Sequence, residues 1–199
     1  MSDFICIYEP GDPTLVMLHG TGGDEAEFFT FGRQLSRSAG IMALRGKEPE
    51  LGVNRWFRRF SEGVFDEPNL VMRANELADY VVSRLGGSRR AAVGFSNGAN
   101  IAAAVLLLRP ETFDAAVLLA PMVPLTPAQL PDLAGKPVLM VCGENDPIVP
   151  RANAQALATM LQTAGADLTV HWHSGGHNLG PAEVNVAAAF IARFAAGLD

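Results

Sequence analysis

Ser96 is the residue of this chain best placed to do chemistry. It stands at the centre of Gly94-Phe95-Ser96-Asn97-Gly98, after the short apolar run Ala91-Ala92-Val93 and before the small and apolar run from Ala99 to Leu108. That order predicts a strand, a sharp turn and a helix, with the serine at the tip of the turn. The pattern G-x-S-x-G at such a junction is a nucleophile elbow. Side chains at the two flanking positions would collide with the neighbouring strand and helix, which is why both are glycine. The turn pushes the hydroxyl out of the sheet and aims the Asn97 N–H at whatever the serine attacks. The pentapeptide alone also fits a plain strand–helix connection carrying an incidental serine, and its context decides between the two.

Three further segments supply the partners that a nucleophilic serine needs. Downstream, Pro137 to Cys142 reads as a central strand, and Asp146 follows it in the loop Gly143-Glu144-Asn145-Asp146-Pro147-Ile148-Val149-Pro150. A carboxylate there could hold a histidine in one tautomer and stabilise its protonated form. Pro147 restricts Asp146 to an extended backbone. Glu144 competes for the role but lies nearer the strand and lacks the proline. Further on, His177 lies in the loop Ser174-Gly175-Gly176-His177-Asn178-Leu179-Gly180, ahead of a helix that opens at Pro181. Serine, then acid, then histidine is one of the chain orders in which such triads occur. His171 and His173 are rivals, but strand alternation puts both on one sheet face. The third segment is upstream. Thr14 to Leu18 reads as a buried strand, and His19-Gly20-Thr21-Gly22-Gly23-Asp24 follows it. Its glycines let the backbone present N–H groups, so the amides of Thr21 and Asn97 are the candidate oxyanion hole. A phosphate-cradling loop is the rival reading, but neither G-x-x-x-x-G-K-[ST] nor G-x-G-x-x-G is present. His19 precedes the serine and reads as a structural residue at a strand end.

The elements that must hold these groups alternate. Strands are predicted over 4–8, 14–19, 40–44, 89–95, 114–120, 137–142 and 168–172, and helices over 25–38, 69–85, 97–109, 151–164 and 181–195. Several strand runs are apolar throughout, as parallel strands covered on both faces must be. The helix after Ser96 is apolar around most of its circumference and should be buried. Gly165 sits where a C′ glycine closes the preceding helix. The stretch 121–136 carries Pro121, Pro124, Pro127 and Pro131. It leaves room for a small flap at most, so no large cap domain and an open site are expected.

Composition narrows the classes. The chain has 199 residues, 49% of them hydrophobic and 18% charged, which suits one globular domain spanning 1–199. A formal net charge of -6 argues against binding nucleic acid. Cys6 and Cys142 fall in strand-like runs and read as small buried hydrophobes. Without a signal-like start or an apolar run long enough to span a bilayer, a cytoplasmic protein with no membrane insertion is expected. Apolar edges are compatible with a homodimer.

The segment from Arg55 to Asp66 is chemically dense: Arg55-Trp56-Phe57-Arg58-Arg59-Phe60-Ser61-Glu62-Gly63-Val64-Phe65-Asp66. One reading is a folded-back loop whose aromatics cap the core and whose charges pair. The other makes it a wall of the site, with Trp56 and Phe57 as apolar surface and Arg58 or Arg59 gripping a carboxylate. Met122, just past the strand predicted over 114–120, joins these as a candidate substrate contact.

Taken together, His19 to Glu25, Phe57 to Asp66, Phe95 to Asn100, Asp146 to Pro150 and His171 to His177 resemble the small bacterial carboxylesterase/phospholipase-type α/β hydrolases. Within that group the chain is similar to the branch linked to hydroquinone and catechol resistance. The resemblance covers nearly the whole chain. It implies the α/β-hydrolase fold, with a mostly parallel central sheet and helices on both faces. It also implies Ser96 as nucleophile, His177 as base, Asp146 as orienting acid, and the Thr21 and Asn97 amides as oxyanion donors. A serine hydrolase cleaving small soluble carboxylic esters, with no cofactor and no metal, is the resulting expectation. Two alternatives stand beside it. One is a metal-dependent enzyme acting on quinones or catechols through His171, His173 and His177. The other is a non-catalytic binding protein on the same fold.

Overall fold

The computed structural model describes residues 3–198. Its main sheet has seven strands: β1 (Cys6–Glu9), β2 (Thr14–Leu18), β3 (Gly40–Leu44), β8 (Arg90–Phe95), β9 (Ala115–Leu119), β10 (Pro137–Gly143) and β11 (Asp167–His173), in spatial order β1-β3-β2-β8-β9-β10-β11. Every pairing is parallel except β1 with β3, which is antiparallel at the edge. The central strands β2, β3, β9 and β10 are buried from end to end, and β8 in all but its last residue, Phe95. Their unbroken apolar runs follow from being covered on both faces.

Alternation along each strand sorts the core into two layers. Val16, Met42, Ala92, Leu118 and Met140 pack with α2 (Glu67–Leu85), α3 (Asn97–Leu108) and α4 (Arg151–Thr163). Leu15, Ile41, Val93, Val117 and Leu139 pack with α1 (Glu25–Leu35) and α5 (Pro181–Ala195) on the other face. The expected α/β-hydrolase architecture is thus borne out. As its composition requires, α3 is buried along nearly its whole length.

Local signals set the helix ends. Asp24 caps α1 by accepting the N–H groups of Ala26 at 3.0 Å and Glu27 at 2.9 Å. Gly165, at φ +92°, closes α4, with its N–H on the Gln162 carbonyl and that of Ala166 on the Leu161 carbonyl. Three boundaries differ from expectation by two residues or more. Helix α1 stops at Leu35, because Ser36 turns extended and its hydroxyl takes the Ala39 N–H. Helix α2 starts at Glu67, because Asp66 caps it by accepting the Asn69 N–H. Strand β1 begins at Cys6.

The stretch after β3 is more ordered than a loop. It forms two small hairpins, β4 (Glu48–Glu50) with β5 (Val53–Arg55) and β6 (Arg59–Ser61) with β7 (Val64–Phe65). The segment 121–136 has neither helix nor strand. Met122, Leu125 and Leu133 bury their side chains in the core, so this segment packs down and builds no cap.

Candidate active site

The turn between β8 and α3 carries Ser96 at φ 50° and ψ −114°. A non-glycine residue in that region is strained by roughly 1–3 kcal/mol. The strain is imposed by contacts on either side. A Cβ on Gly94 would lie 2.3 Å from the Gly98 carbonyl oxygen, and one on Gly98 would lie 1.9 Å from that of Leu18. The Ser96 N–H is fixed to the Leu119 carbonyl at 2.8 Å. Its hydroxyl makes no capping bond to α3 and is left for other partners.

That partner is His177. Its Nε2 lies 2.9 Å from Ser96 Oγ, and its Nδ1 lies 2.7 Å from Asp146 Oδ2. The other Asp146 oxygen accepts the N–H groups of Ile148 at 2.8 Å and Val149 at 3.0 Å. A carboxylate only accepts, so the imidazole proton belongs on Nδ1 and Nε2 is left to accept from the serine. The rival acid Glu144 is turned away and pairs with Arg151 at 3.0 Å. The Phe95 ring stands 5.2 Å from the His177 ring, limiting its freedom.

The loop after β2 closes the other side. Gly22 N–H bonds the Asn54 carbonyl at 2.9 Å, and Asn54 Nδ2 donates to the Gly23 carbonyl at 2.9 Å. Thr21 and Asn97 both line the cleft that holds Ser96. Asn97 is the first residue of α3, where a helix leaves its N–H groups unpaired. His19 is wholly buried. Its Nε2 accepts the Gly46 N–H at 2.9 Å and its Nδ1 faces the Gly20 carbonyl at 2.6 Å. Burial pushes its pKa below the ordinary value, so it acts here as a neutral strut between two loops.

The cleft has a volume of ≈ 290 Å³. The segment from Arg55 to Asp66 does form one of its walls, but of the side chains expected there only Arg59 lines it. Trp56 is 2% exposed and Phe57 0%. Trp56 Nε1 donates to the His19 carbonyl at 2.8 Å, and Phe57 meets Phe65 edge to face. Neither lines the cleft: their apolar bulk is drawn into the core. Arg58 points outward, with 62% of its side chain exposed, and pairs with Asp66. Arg59 and Met122 do line the cleft, although Arg59 is engaged by Glu50 and Glu62.

Arg55 was not anticipated. Its side chain is 3% exposed, lines the cleft, and donates to Thr21 Oγ1 at 2.8 Å. Asn97 and Asn100 were also missed as scaffolding. Asn97 Oδ1 accepts the Trp56 N–H at 2.8 Å, and Asn100 Oδ1 accepts that of Met122 at 2.9 Å. These bonds tie the cleft walls to α3.

His171 and His173 do not join His177. Leu168, Val170 and Trp172 of β11 pack toward α4, so the two histidines take the opposite face. There, His173 Nδ1 accepts the Gly175 N–H at 3.2 Å and stands 4.0 Å from Glu183. Among the described residues no three His, Cys, Asp or Glu side chains cluster so as to hold a metal ion.

A nucleophile elbow at the carboxyl edge of this sheet, facing an acid and a histidine from later loops, defines an α/β-hydrolase. The chain belongs to the dienelactone hydrolase family, which matches residues 62–180. It is 42% identical over 180 residues to the putative hydrolase MhqD of Bacillus subtilis (strain 168), covering 87% of this chain and 90% of that one. Among solved structures it is similar to the Bacillus cereus carboxylesterase, with a TM-score of 0.91 and 37% identity over 96% of this chain and 94% of the other. Atu2452 from Agrobacterium tumefaciens str. C58, a protein of unknown function, follows at 0.87 and 39% identity, covering 94% and 93%. The protein is a hydrolase of the dienelactone hydrolase/carboxylesterase type. Among the described residues no helix is long and apolar enough to cross a membrane.

Proposed function

We propose that the protein is a serine hydrolase that cleaves small carboxylic esters through an acyl-enzyme. Ser96 Oγ bonds the ester carbonyl carbon while its proton passes to His177 Nε2. The carbonyl oxygen takes the negative charge and is met by the N–H groups of Thr21 and Asn97. Collapse of the adduct breaks the bond to the alcohol oxygen, which leaves with the proton from His177. Water then attacks the acyl-enzyme by the same route, returning the proton to Ser96 and releasing the acid. Asp146 holds the imidazole and stabilises its cation throughout. Arg55 positions Thr21 through its hydroxyl.

The observation carrying this reading is the continuous relay from Asp146 through His177 to a strained serine whose hydroxyl has no structural duty. The small cleft favours short acyl groups. The test is Ser96→Ala. It should abolish cleavage of p-nitrophenyl acetate and labelling by a fluorophosphonate, with an unchanged circular dichroism spectrum. A folded variant with full activity would overturn the assignment.

A further inference from the structure

A second groove, of ≈ 630 Å³, shares Phe95 with the Ser96 cleft. Phe28, Phe31, Phe95 and Leu179 give it apolar surface, and Glu27, Thr30, Gln34 and Asn178 line it as well. Two features tie it to the chemistry. Phe95 lines both cavities, with its ring against the His177 imidazole. Asn178 and Leu179 directly continue the loop that carries His177. Gly20 makes room for the shared ring, since a Cβ there would come within 2.8 Å of Phe95 Cδ1.

Reaction geometry decides which part of a substrate this groove can take. The carbonyl oxygen is committed to the Thr21 and Asn97 amides. The acyl remainder has the first cleft, floored by Met122 and Val149. The leaving oxygen must sit at His177 Nε2 to receive its proton. The alcohol part therefore departs on the His177 side, where the groove between α1 and the loop after His177 meets the first cleft at Phe95. We propose that this groove is the leaving-group subsite, selecting esters of uncharged aromatic or branched alcohols. This rests on the serine-hydrolase reading above. Three aromatic rings and a leucine offer flat apolar contact, and the Glu27 carboxylate disfavours an anionic alcohol.

The test compares kcat/KM for benzyl acetate and methyl acetate, whose alcohols are similarly poor leaving groups. Burying a phenyl ring should favour benzyl by about tenfold or more. Phe31→Ala should cut that ratio at least about fivefold, and Phe31→Leu should restore part of it. Leu179→Ala, on a different element, should lower it as well. The ratio of methyl butyrate to methyl acetate, which reads the acyl side, should move in none of these variants. General damage would lower all rates together and leave the benzyl ratio intact, which counts against the subsite. A wild-type benzyl ratio near one, or one untouched by both alanine variants, overturns the inference while leaving the hydrolase reading standing. Failure of Ser96 to react with a fluorophosphonate, with no ester turned over, overturns both.

Discussion

Asp146→Asn is the most informative single change, because the structure dictates how the new amide must sit. One Asp146 oxygen accepts two backbone N–H groups, from Ile148 and Val149, and the other faces His177 Nδ1. The side chain is 1% exposed, so water cannot stand in. Turning the amide NH2 toward Ile148 and Val149 would set donors against donors and forfeit two hydrogen bonds, costing about 1–3 kcal/mol for each group left unsatisfied. The asparagine oxygen therefore takes those N–H groups, and its NH2 faces Nδ1. The imidazole must then accept at Nδ1 and carry its proton on Nε2, pointing at Ser96. In that tautomer it cannot take the serine proton. Turnover of p-nitrophenyl acetate should fall on the order of 10⁴-fold, equivalent to about 5 kcal/mol of barrier. The fold should survive, since the side chain is isosteric. Nitrogen NMR of labelled His177 should show the Nδ1–H form in the parent and the Nε2–H form in the variant. A variant within tenfold of parental activity, or one keeping the Nδ1–H tautomer, would refute the reasoning.

Arg55 and Arg58 should behave in opposite ways. Arg55→Met removes the bond that holds Thr21 and should lower kcat for p-nitrophenyl acetate roughly 10- to 100-fold. Arg58→Ala breaks only an exposed ion pair worth less than about 1 kcal/mol and should leave kcat and thermal stability nearly unchanged. Alkaline unfolding tests the buried thiol of Cys142, whose pKa is pushed up to about 12 by burial, with Asp146 adding to the shift. A raised folded-state value means that the stability contribution is full below about pH 9 and is lost as pH rises toward 12. Across that window the parent should lose up to about 1.4 kcal/mol per pH unit more than Cys142→Ala. Parallel urea-denaturation midpoints for the two proteins from pH 9 upward would contradict this.

What could be read ahead of the structure, and what could not, divides along a physical line. Strand β8 and the elbow were legible because short-range sterics act there. Gly94 and Gly98 answer to carbonyl oxygens within a few residues or on the next strand, and no other residue fits. The apolar runs of β2, β9 and β10 were legible because burial on both faces leaves no room for alternation. The chain order of Ser96, Asp146 and His177 was open to reading for a related reason. A parallel sheet delivers every loop after a strand to the same edge, so residues distant in sequence share a rim. The stretch from Arg55 to Asp66 obeys no such rule. The hairpin within it and the one before it are too short to impose a face, and which residue turns inward depends on cavities made by α2, α3 and the loop after β2. Trp56 goes in because the His19 carbonyl waits for its N–H. Its backbone is meanwhile held by Asn97, a residue from the elbow itself. Arg55 is thereby directed to Thr21, while Arg58 is left outside. Since Asn97 also heads the helix beside Ser96, the cleft wall and Ser96 share one anchor. Changes that release Asn97 from the Trp56 N–H should therefore disturb the cleft wall and the Ser96 turn together.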